Sequence, residues 1–324
     1  MTEEARSSTD DNVAQGRRPP WLTGTVIIVV FGAYIAALVI AARRWELPVI
    51  GWNAALFLLA ALASEFLAKL VFAELFRLGS HRVGHPVSRT GSIKAALTGS
   101  AVARLVPAGG TFTPTTMAWA VRSEDDQMAG VALRVTLLTY GGLLTLTGTA
   151  VLWGTSAGGH PLIFAGELVV GVLLVVAGLV VLGGSPWLGT IVDHLPQWLR
   201  KHFSATADDG RLLVRELGLV VVRIGAEAGV LWGSLFALGF ELTASEVMVT
   251  YGISAIVGGL PALPGGLVLV EGGLIGVLAA YGFPAGSVVA PVLIYRVIDY
   301  WLPAGVGLAT WAYIARGRSR ATPA

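Results

Sequence analysis

Three predominantly apolar stretches, each as long as a bilayer crossing, limit which folds this chain can adopt. They are "WLTGTVIIVVFGAYIAALVIAA" (21–42), "LIFAGELVVGVLLVVAGLVVL" (162–182) and "LGLVVVRIGAEAGVLWGSLFALG" (217–239). A helix needs about 20 such residues to cross the hydrocarbon core of a membrane. Only 13% of the 324 residues are charged, whereas a soluble domain has about 25%. The sequence therefore predicts an all-α polytopic membrane protein.

The basic residues next to the apolar stretches predict how the chain is oriented. Cytoplasmic loops of membrane proteins are enriched in Lys and Arg. Arg17 and Arg18 precede the first stretch, and the segments 77–94, 193–216 and 315–320 are also basic. We therefore expect a multi-pass protein of the cell membrane with both termini in the cytoplasm.

The same pattern divides the chain into regions. The polar N-terminus, 1–20, is expected to be disordered and cytoplasmic. A single transmembrane domain is expected over 21–315, with a cytoplasmic, partly amphipathic segment at 186–216. Residues 316–324 would then form a cytoplasmic tail.

Two apolar regions are predicted to enter the membrane and return to the side from which they came. Residues 93–121 and 246–282 each lie between loops that we assign to one side. Each contains two apolar pieces of about 11–15 residues, a length that is short for a span and typical of re-entrant segments. The sequence thus predicts about six full spans plus two re-entrant helical hairpins.

The turns of the two predicted hairpins resemble each other. "SAVARLVPAGG" (100–110) aligns with "SAIVGGLPALPGG" (254–266), which places Pro107 over Pro261. After a two-residue gap, the glycine pairs that follow also align. An inverted-topology repeat, in which broken helices meet around a substrate site, would produce this likeness, and so would a shared bias toward small residues. The repeat halves would be 21–154 and 160–315.

The proline and glycine residues of these turns break the backbone order inside apolar sequence. Irregular backbone at membrane depth has to be buried in protein or line a wet cavity. A helix that starts near Leu267 would present free N–H groups, which suit phosphate or carboxylate. A packing kink between helices is the alternative. The candidate substrate-binding residues of the turns are Pro107, Gly109, Gly110, Pro261, Pro264, Gly265 and Gly266.

Charged residues within the apolar regions are the other candidates, because ionisable groups at membrane depth are rare and mark functional sites. Arg296 can bind a phosphate bidentately and lies three residues before Asp299. Glu271 follows the second Pro/Gly turn, and Arg104 precedes the first as a candidate second anion contact. Static ion pairs of Arg296 with Glu271 or Asp299 are the alternative role.

The spacing of four other charged residues predicts local pairing. Glu65 and Lys69 are four residues apart, as are Arg223 and Glu227. Opposite charges at this spacing meet on one helix face. Each pair is therefore expected to neutralise itself.

Several activities are not indicated by the sequence. The net charge is only +2, and no nucleic-acid partner is expected. The chain has no Cys, and Gly84 interrupts any helix that would pair His81 with His85, so no metal site is predicted. Neither a G-x-x-x-x-G-K-[ST] loop nor an H-E-x-x-H motif occurs. We expect no cofactor and no catalytic residue.

Two parts of the chain resemble a known family. "PALPGGLVLVE" (261–271), Gly282 and "APVLIYRVIDYWLPAGVG" (290–307) are similar to the C-terminal signature of the lysylphosphatidylglycerol synthase transmembrane-region family of bacteria and archaea. "LVPAGGTFTPTTMAWAVR" (105–122) resembles the turn of the family's N-terminal half, except that Ala108 is inserted between the proline and the glycine. The resemblance extends over about residues 20–315, and both Glu271 and Arg296 fall on the C-terminal signature.

The resemblance implies a role in lipid traffic. Members make and translocate aminoacylated phosphatidylglycerol, or act alone on lipids and polyprenyl-linked glycans. This chain is expected to be a stand-alone member, because no soluble aminoacyl-transferase domain is included. The implied function is a flippase for an anionic or aminoacylated phospholipid or a polyprenyl-phosphate-linked lipid. An intramembrane transferase, or a scaffold for a separate lipid or glycan synthase, is the alternative, and the glycine-rich surfaces permit a homodimer.

Overall fold

The computed structural model describes residues 52–106, 109–121, 126–154, 161–183, 210–259, 266 and 269–319, together with the single positions 32, 36 and 40. The chain divides into two compact units, Met1–Glu46 and Leu47–Ala324. In the first unit, the three described positions are helical. The predicted disordered N-terminus, nearly all of the predicted first span and most of 186–216 lie outside the described residues.

The described part of the second unit consists of α-helices and one π-helical segment, and no strand occurs in it. The helices are α1 (Trp52–Arg82), α2 (Arg89–Leu105), α3 (Gly109–Ala120), α4 (Asp126–Gly154), α5 (Pro161–Gly183), α6 (Gly210–Phe236), α7 (Ala244–Gly258), α8 (Leu269–Ala280), α9 (Val289–Arg296) and α10 (Leu302–Ser319), and the π segment is Val297–Trp301.

Among the described residues, five helical units are long and apolar enough to cross a membrane. They are α1, α4, α5, α6 and the continuous run from α9 through the π segment to α10. These are five of the six predicted spans, and the sixth is the one that lies almost wholly outside the described residues. The prediction of an all-α polytopic membrane protein is confirmed.

The two predicted hairpins are pairs of shorter packed helices, α2 with α3 and α7 with α8. Their lengths are 17 and 12 residues in the first pair and 15 and 12 in the second. The first hairpin begins at Arg89 and not at residue 93, because the Ser88 side chain accepts a hydrogen bond from the Gly91 N–H and caps the helix. A capping box of Thr243 and Glu246 starts the second hairpin.

Two of the segments predicted to be cytoplasmic, 77–94 and 193–216, meet at one end of the helix bundle, called here the Arg82 end. Arg82, the last residue of α1, pairs with Glu216 near the start of α6. The Lys94 ammonium group near the start of α2 lies 5.0 Å from the ring centroid of Tyr313 near the end of α10. Arg82, Glu216, Lys94 and Tyr313 therefore lie at the same end of the bundle. That this side is the cytoplasm stays a prediction.

The second hairpin opens at the opposite end of the bundle. Gly154, the last residue of α4, faces Ser245 at the start of α7. Phe240, just before α7, packs against Phe283, just after α8, with ring centroids 5.6 Å apart. Since the first hairpin opens at the Arg82 end, the two hairpins enter from opposite ends.

The pairing of helices also agrees with an inverted repeat. The first helix of each hairpin packs against the span that follows the other hairpin, so α2 contacts α10 and α7 contacts α4. The spans that precede the hairpins, α1 and α6, pack against each other. Exchanging the halves maps the α2–α10 contact onto the α7–α4 contact and the α1–α6 contact onto itself, as an inverted repeat would. The boundaries of the halves stay a prediction.

Small residues allow the first helix of each hairpin to approach its partner span closely. A Cβ atom added to Gly307 of α10 would overlap the Leu97 carbonyl oxygen of α2. A Cβ added to Gly252 of α7 would overlap the Thr147 hydroxyl of α4. Glycine at these two crossings is therefore required by packing.

Candidate functional site

The tips of both hairpins line one cavity of about 510 Å³, a volume typical of small-molecule sites. From the first hairpin, Gly109, Gly110 and Thr111 form the N-terminal turn of α3 at the cavity wall. From the second, the last residues of α7 and Gly266 line it. The remaining walls come from α1, α4, α6 and the last span. The cavity is thus lined in part by the broken elements that the sequence indicated.

A local widening of the last span positions its charged residues. Residues Val297–Trp301 form a π-helical turn, in which the Leu302 N–H bonds to the Val297 carbonyl five residues earlier. Pro303 has no N–H to donate to the Asp299 carbonyl, and Arg104 Nε donates to that oxygen at 3.0 Å. Pro303 is the sequence signal that could have indicated this break.

The four predicted charged residues form one continuous chain of contacts. Arg104 lies 3.5 Å from a carboxylate oxygen of Asp299, and Arg296 lies 3.6 Å from the other. Arg296 Nε donates to Glu271 Oε1 at 2.7 Å. Arg104, Arg296 and Asp299 line the cavity. Glu271 does not line it but contacts Arg296, which does. The ion pairs that were the alternative to substrate binding do form, and whether these residues also bind substrate stays a prediction.

A second chain of charges was not predicted as part of the site. Glu65 Oε1 lies 2.8 Å from Lys69 Nζ, and Arg223 Nε lies 3.3 Å from Glu227 Oε1, so both predicted local pairs are confirmed. However, Lys69 Nζ also lies 3.9 Å from Glu227 Oε1 on the facing helix. Lys69, Arg223 and Glu227 all line the cavity. The spacing within each helix predicted the pairs, whereas only the packing of α1 on α6 brings them together.

Aromatic side chains complete the polar wall and were also missed. The Tyr251 hydroxyl donates to Glu227 Oε2 at 2.5 Å, and the Tyr300 hydroxyl donates to the Arg104 carbonyl. The Arg296 guanidinium carbon lies 4.6 Å from the ring centroid of Tyr300, in the arrangement of a cation–π contact. Polar aromatic residues inside otherwise apolar spans were the available sequence signal.

The remaining predicted residues have different outcomes. Gly109, Gly110 and Gly266 line the cavity. Gly266 has φ of +67°, a left-handed conformation that favours glycine, and an added Cβ would lie 2.7 Å from the Gly258 backbone. Pro107, Pro261, Pro264 and Gly265 lie outside the described residues. Within the described part of the chain, no cluster of His, Asp and Glu is placed to hold a metal ion.

The adjacent glycines at the first tip are predicted to differ in their tolerance of substitution. A Cβ on Gly109 would overlap the Val102 carbonyl oxygen, whereas a Cβ on Gly110 would meet no atom within 4 Å. We expect Gly109→Ala to lower the free energy of unfolding by about 1–3 kcal/mol, because the backbone of α2 has to move. Gly110→Ala is the matched control and should change it by less than about 0.5 kcal/mol. Denaturation in detergent measures both, and equal stability of the two variants would contradict this packing.

A second buried ion cluster lies at the Arg82 end. Glu216 of α6 is 1% exposed and accepts two hydrogen bonds from Arg134 of α4, at 2.9 and 2.6 Å. Arg82 Nε of α1 lies 3.4 Å from the same carboxylate. One acidic side chain thus ties three spans together beyond the cavity.

Comparison with known proteins identifies the same family as the motifs did. A protein-family model described as the lysylphosphatidylglycerol synthase TM region matches residues 15–307. The matched region contains both hairpins and every charged residue of the cavity. A search of curated proteins gives no match to this chain.

Proposed function

The chain belongs to the family of the lysylphosphatidylglycerol synthase transmembrane region, and from this membership we propose that it is a flippase for a lipid with an anionic headgroup. The headgroup would occupy the cavity between the hairpin tips while the acyl or prenyl tails remain in the bilayer. The lipid would be an anionic or aminoacylated phospholipid or a polyprenyl-phosphate-linked lipid.

The observation that carries the proposal is a cavity with basic side chains between the two hairpins and four span-length helical units, α1, α4, α6 and the last span. Arg104, Arg296 and Lys69 line it, and Arg296 is 3% exposed. Charged groups at membrane depth are costly and are retained where they serve a substrate or ion pathway. A purely structural ion pair would not require an adjoining cavity large enough for a headgroup.

The chemistry of the walls suits a phosphate. A guanidinium group presents parallel N–H donors that match phosphate oxygens. The N-terminal turn of α3, which lines the cavity through Gly109, Gly110 and Thr111, adds backbone N–H groups and the positive end of a helix dipole. A bound phosphate would take the place of Asp299 or Glu271 as a partner of Arg296.

The arrangement of the hairpins suits alternating access. One hairpin enters from the Arg82 end and the other from the opposite end, and their tips meet at the cavity. Small movements of one half against the other would open the cavity to one leaflet and then to the other. We place both termini in the cytoplasm and the protein in the cell membrane, with a separate lipid or glycan synthase as a partner. No enzymatic step is assigned.

Leaflet exchange in liposomes tests the proposal. The protein is reconstituted with fluorescent phosphatidylglycerol, and a membrane-impermeant quencher reports the outer-leaflet fraction over time. We expect the intact protein to exchange this lipid, Arg104→Gln to slow exchange, and Arg215→Gln to leave it unchanged. Arg215 is a suitable control because its side chain is 55% exposed and lies outside the cavity.

Two outcomes would contradict the proposal. If the intact protein exchanges neither phosphatidylglycerol nor any other lipid supplied, a scaffold role replaces the flippase. If exchange occurs but is equally fast in the Arg104→Gln and Arg215→Gln proteins, Arg104 is removed from the headgroup site.

A further inference from the structure

The charges around the cavity balance, and this balance constrains what can bind there. Two alternating chains of acidic and basic groups meet at the cavity, and among the described residues they contain equal numbers of each. The first is Glu65, Lys69, Glu227 and Arg223, and the second is Glu271, Arg296, Asp299 and Arg104. The apolar stretch 21–42 contains no charged residue in its sequence.

A neutral site inside a membrane binds a lone anion poorly. A headgroup with one negative charge would leave the cavity with a net charge of −1, and an uncompensated charge in a low-dielectric interior is destabilising by several kcal/mol. The binding site therefore favours an anion that arrives with a compensating cation. The smallest cation available is a proton, which a carboxylate can accept without additional space.

Glu65 is the carboxylate best placed to accept that proton. It is 2% exposed, its Oε2 has no hydrogen-bond partner among the described residues, and its single ion-pair partner Lys69 also lies near Glu227. Glu227, in contrast, is held by Arg223 and by the Tyr251 hydroxyl. Burial with few donors favours the neutral form of a carboxyl group.

Glu271, at the end of the second series of charged residues, is the carboxylate to compare with Glu65. Its side chain is 16% exposed, against 3% for Glu65. Its partner Arg296 is a guanidinium, which remains charged under all conditions in proteins. Glu271 Oε2, like Glu65 Oε2, has no hydrogen-bond partner among the described residues, but the Glu271 side chain is less desolvated and is paired with a permanent charge.

The charged groups that face Glu65 come from several helices. Lys69 is on its own helix, Glu227 is on α6, Arg104 is on α2 and Asp299 is in the π segment. Lys69 and Arg104 favour the charged form of Glu65 and Asp299 opposes it, so it is the burial of the carboxyl group that favours its neutral form. The one basic residue of α4, Arg134, pairs instead with Glu216.

We propose that the protein binds one proton together with each anionic headgroup and that Glu65 accepts the proton. The Lys69 ammonium group then leaves Glu65 and forms an ion pair with the phosphate. The proton moves from water to a Glu65 oxygen, and no other bond forms or breaks. Neutralising Glu65 releases the Lys69 ammonium group, which already lines the cavity. This inference rests on the proposed lipid-binding function and adds protons as a second transported species.

Proton-linked binding provides the test. Purified protein in detergent is titrated with dihexanoyl-phosphatidylglycerol, whose phosphodiester stays ionised across the neutral range, so any pH dependence arises from the protein. For the intact protein we expect the Kd to rise about tenfold per pH unit above the pKa of the linked group. In weakly buffered solution above that pKa, a pH indicator should report the uptake of about one proton per lipid bound.

Variants then locate the proton. Glu65→Gln should bind the lipid with a Kd that is independent of pH and without proton uptake. Lys69→Gln should bind weakly at every pH. Glu74→Gln is the matched control on the same helix and should keep the pH dependence of the intact protein, since Glu74 pairs with Arg77 outside the cavity.

The outcomes are distinguishable. Binding by the intact protein that is independent of pH, without proton uptake, overturns the inference and leaves the proposed function intact. Loss of the pH dependence in Glu271→Gln but not in Glu65→Gln overturns the assignment to Glu65. Failure of the intact protein to bind the lipid at any pH counts against the proposed function itself. The uptake measurement on intact protein does not depend on how well the variants fold.

Discussion

Replacement of Arg296 by glutamine is expected to slow the exchange of an anionic lipid by about 100-fold or more. Arg296 is buried, contacts Glu271 at 2.7 Å and Asp299 at 3.6 Å, and lines the cavity. Removing one partner of a buried charge interaction typically costs about 2–5 kcal/mol, and each 1.4 kcal/mol is about tenfold in affinity. The quenching assay with fluorescent phosphatidylglycerol in liposomes measures the effect.

A double variant distinguishes a role of Arg296 in binding the lipid from a role in stabilising the fold. Arg296→Gln alone leaves Glu271 without the guanidinium that pairs with it, which should also lower the unfolding temperature. Arg296→Gln combined with Glu271→Gln removes both charges of this pair, so we expect stability to recover while exchange remains slow. Recovery of exchange in the double variant would show that Arg296 serves only as a structural ion-pair partner and does not bind the lipid. Arg296→Lys, which keeps the charge but loses the planar fork, should be intermediate.

Replacement of Glu216 by glutamine is expected to produce the largest loss of stability, about 3–5 kcal/mol in the free energy of unfolding. The change leaves Arg134 and Arg82 buried and without their shared carboxylate. Breaking a buried ion cluster by removing one partner is costly because the remaining charges stay desolvated. Chemical denaturation of the protein in detergent, followed by tryptophan fluorescence, measures the loss.

Glu74→Gln is the control for this prediction. Glu74 lies on α1 near the same end of the bundle and pairs with Arg77 at 2.7 Å and with the half-exposed Arg215 at 3.1 Å. Its side chain is 26% exposed, so water replaces much of the lost interaction and we expect a change of up to about 1 kcal/mol. Similar losses for Glu74→Gln and Glu216→Gln would contradict the role of the buried cluster.

The fold could be predicted largely from local features of the sequence. Apolar stretches of bilayer length predicted the spans, and α1, α4, α5, α6 and the last span confirm them. Short apolar pieces around Pro/Gly turns predicted both hairpins. The start of α2 differed by a few residues because a single capping side chain, Ser88, sets it. Such caps shift the end of a helix without changing which element forms.

The candidate site was predicted only in part. Arg104, Arg296 and Asp299 were identified because charges within apolar sequence are rare, and all three line the cavity. Lys69 and Glu227 are also charges within apolar sequence. Each has an opposite charge four residues away, and a pair on one helix face is sufficient to explain why the charge is there. Spacing along one helix does not reveal a partner on another helix. The π turn was not predicted because its cause is only partly local. Pro303 cannot donate a hydrogen bond to the Asp299 carbonyl, and the donor that replaces it, Arg104, comes from a distant part of the chain.

The sequence by itself determined the class of fold, the breaks in the hairpins and the identity of the ionisable groups at membrane depth. These properties depend on residues close together in the chain, through the length of apolar runs and the backbone limits of proline and glycine. Only the tertiary structure decided that the Glu65–Lys69 and Arg223–Glu227 pairs face each other, and that Lys69, Arg223 and Glu227 share a cavity with Arg104 and Arg296. The physical reason is that helix crossings depend on the packing of whole surfaces, such as the close approach of Gly307 to Leu97, and no short segment contains that information.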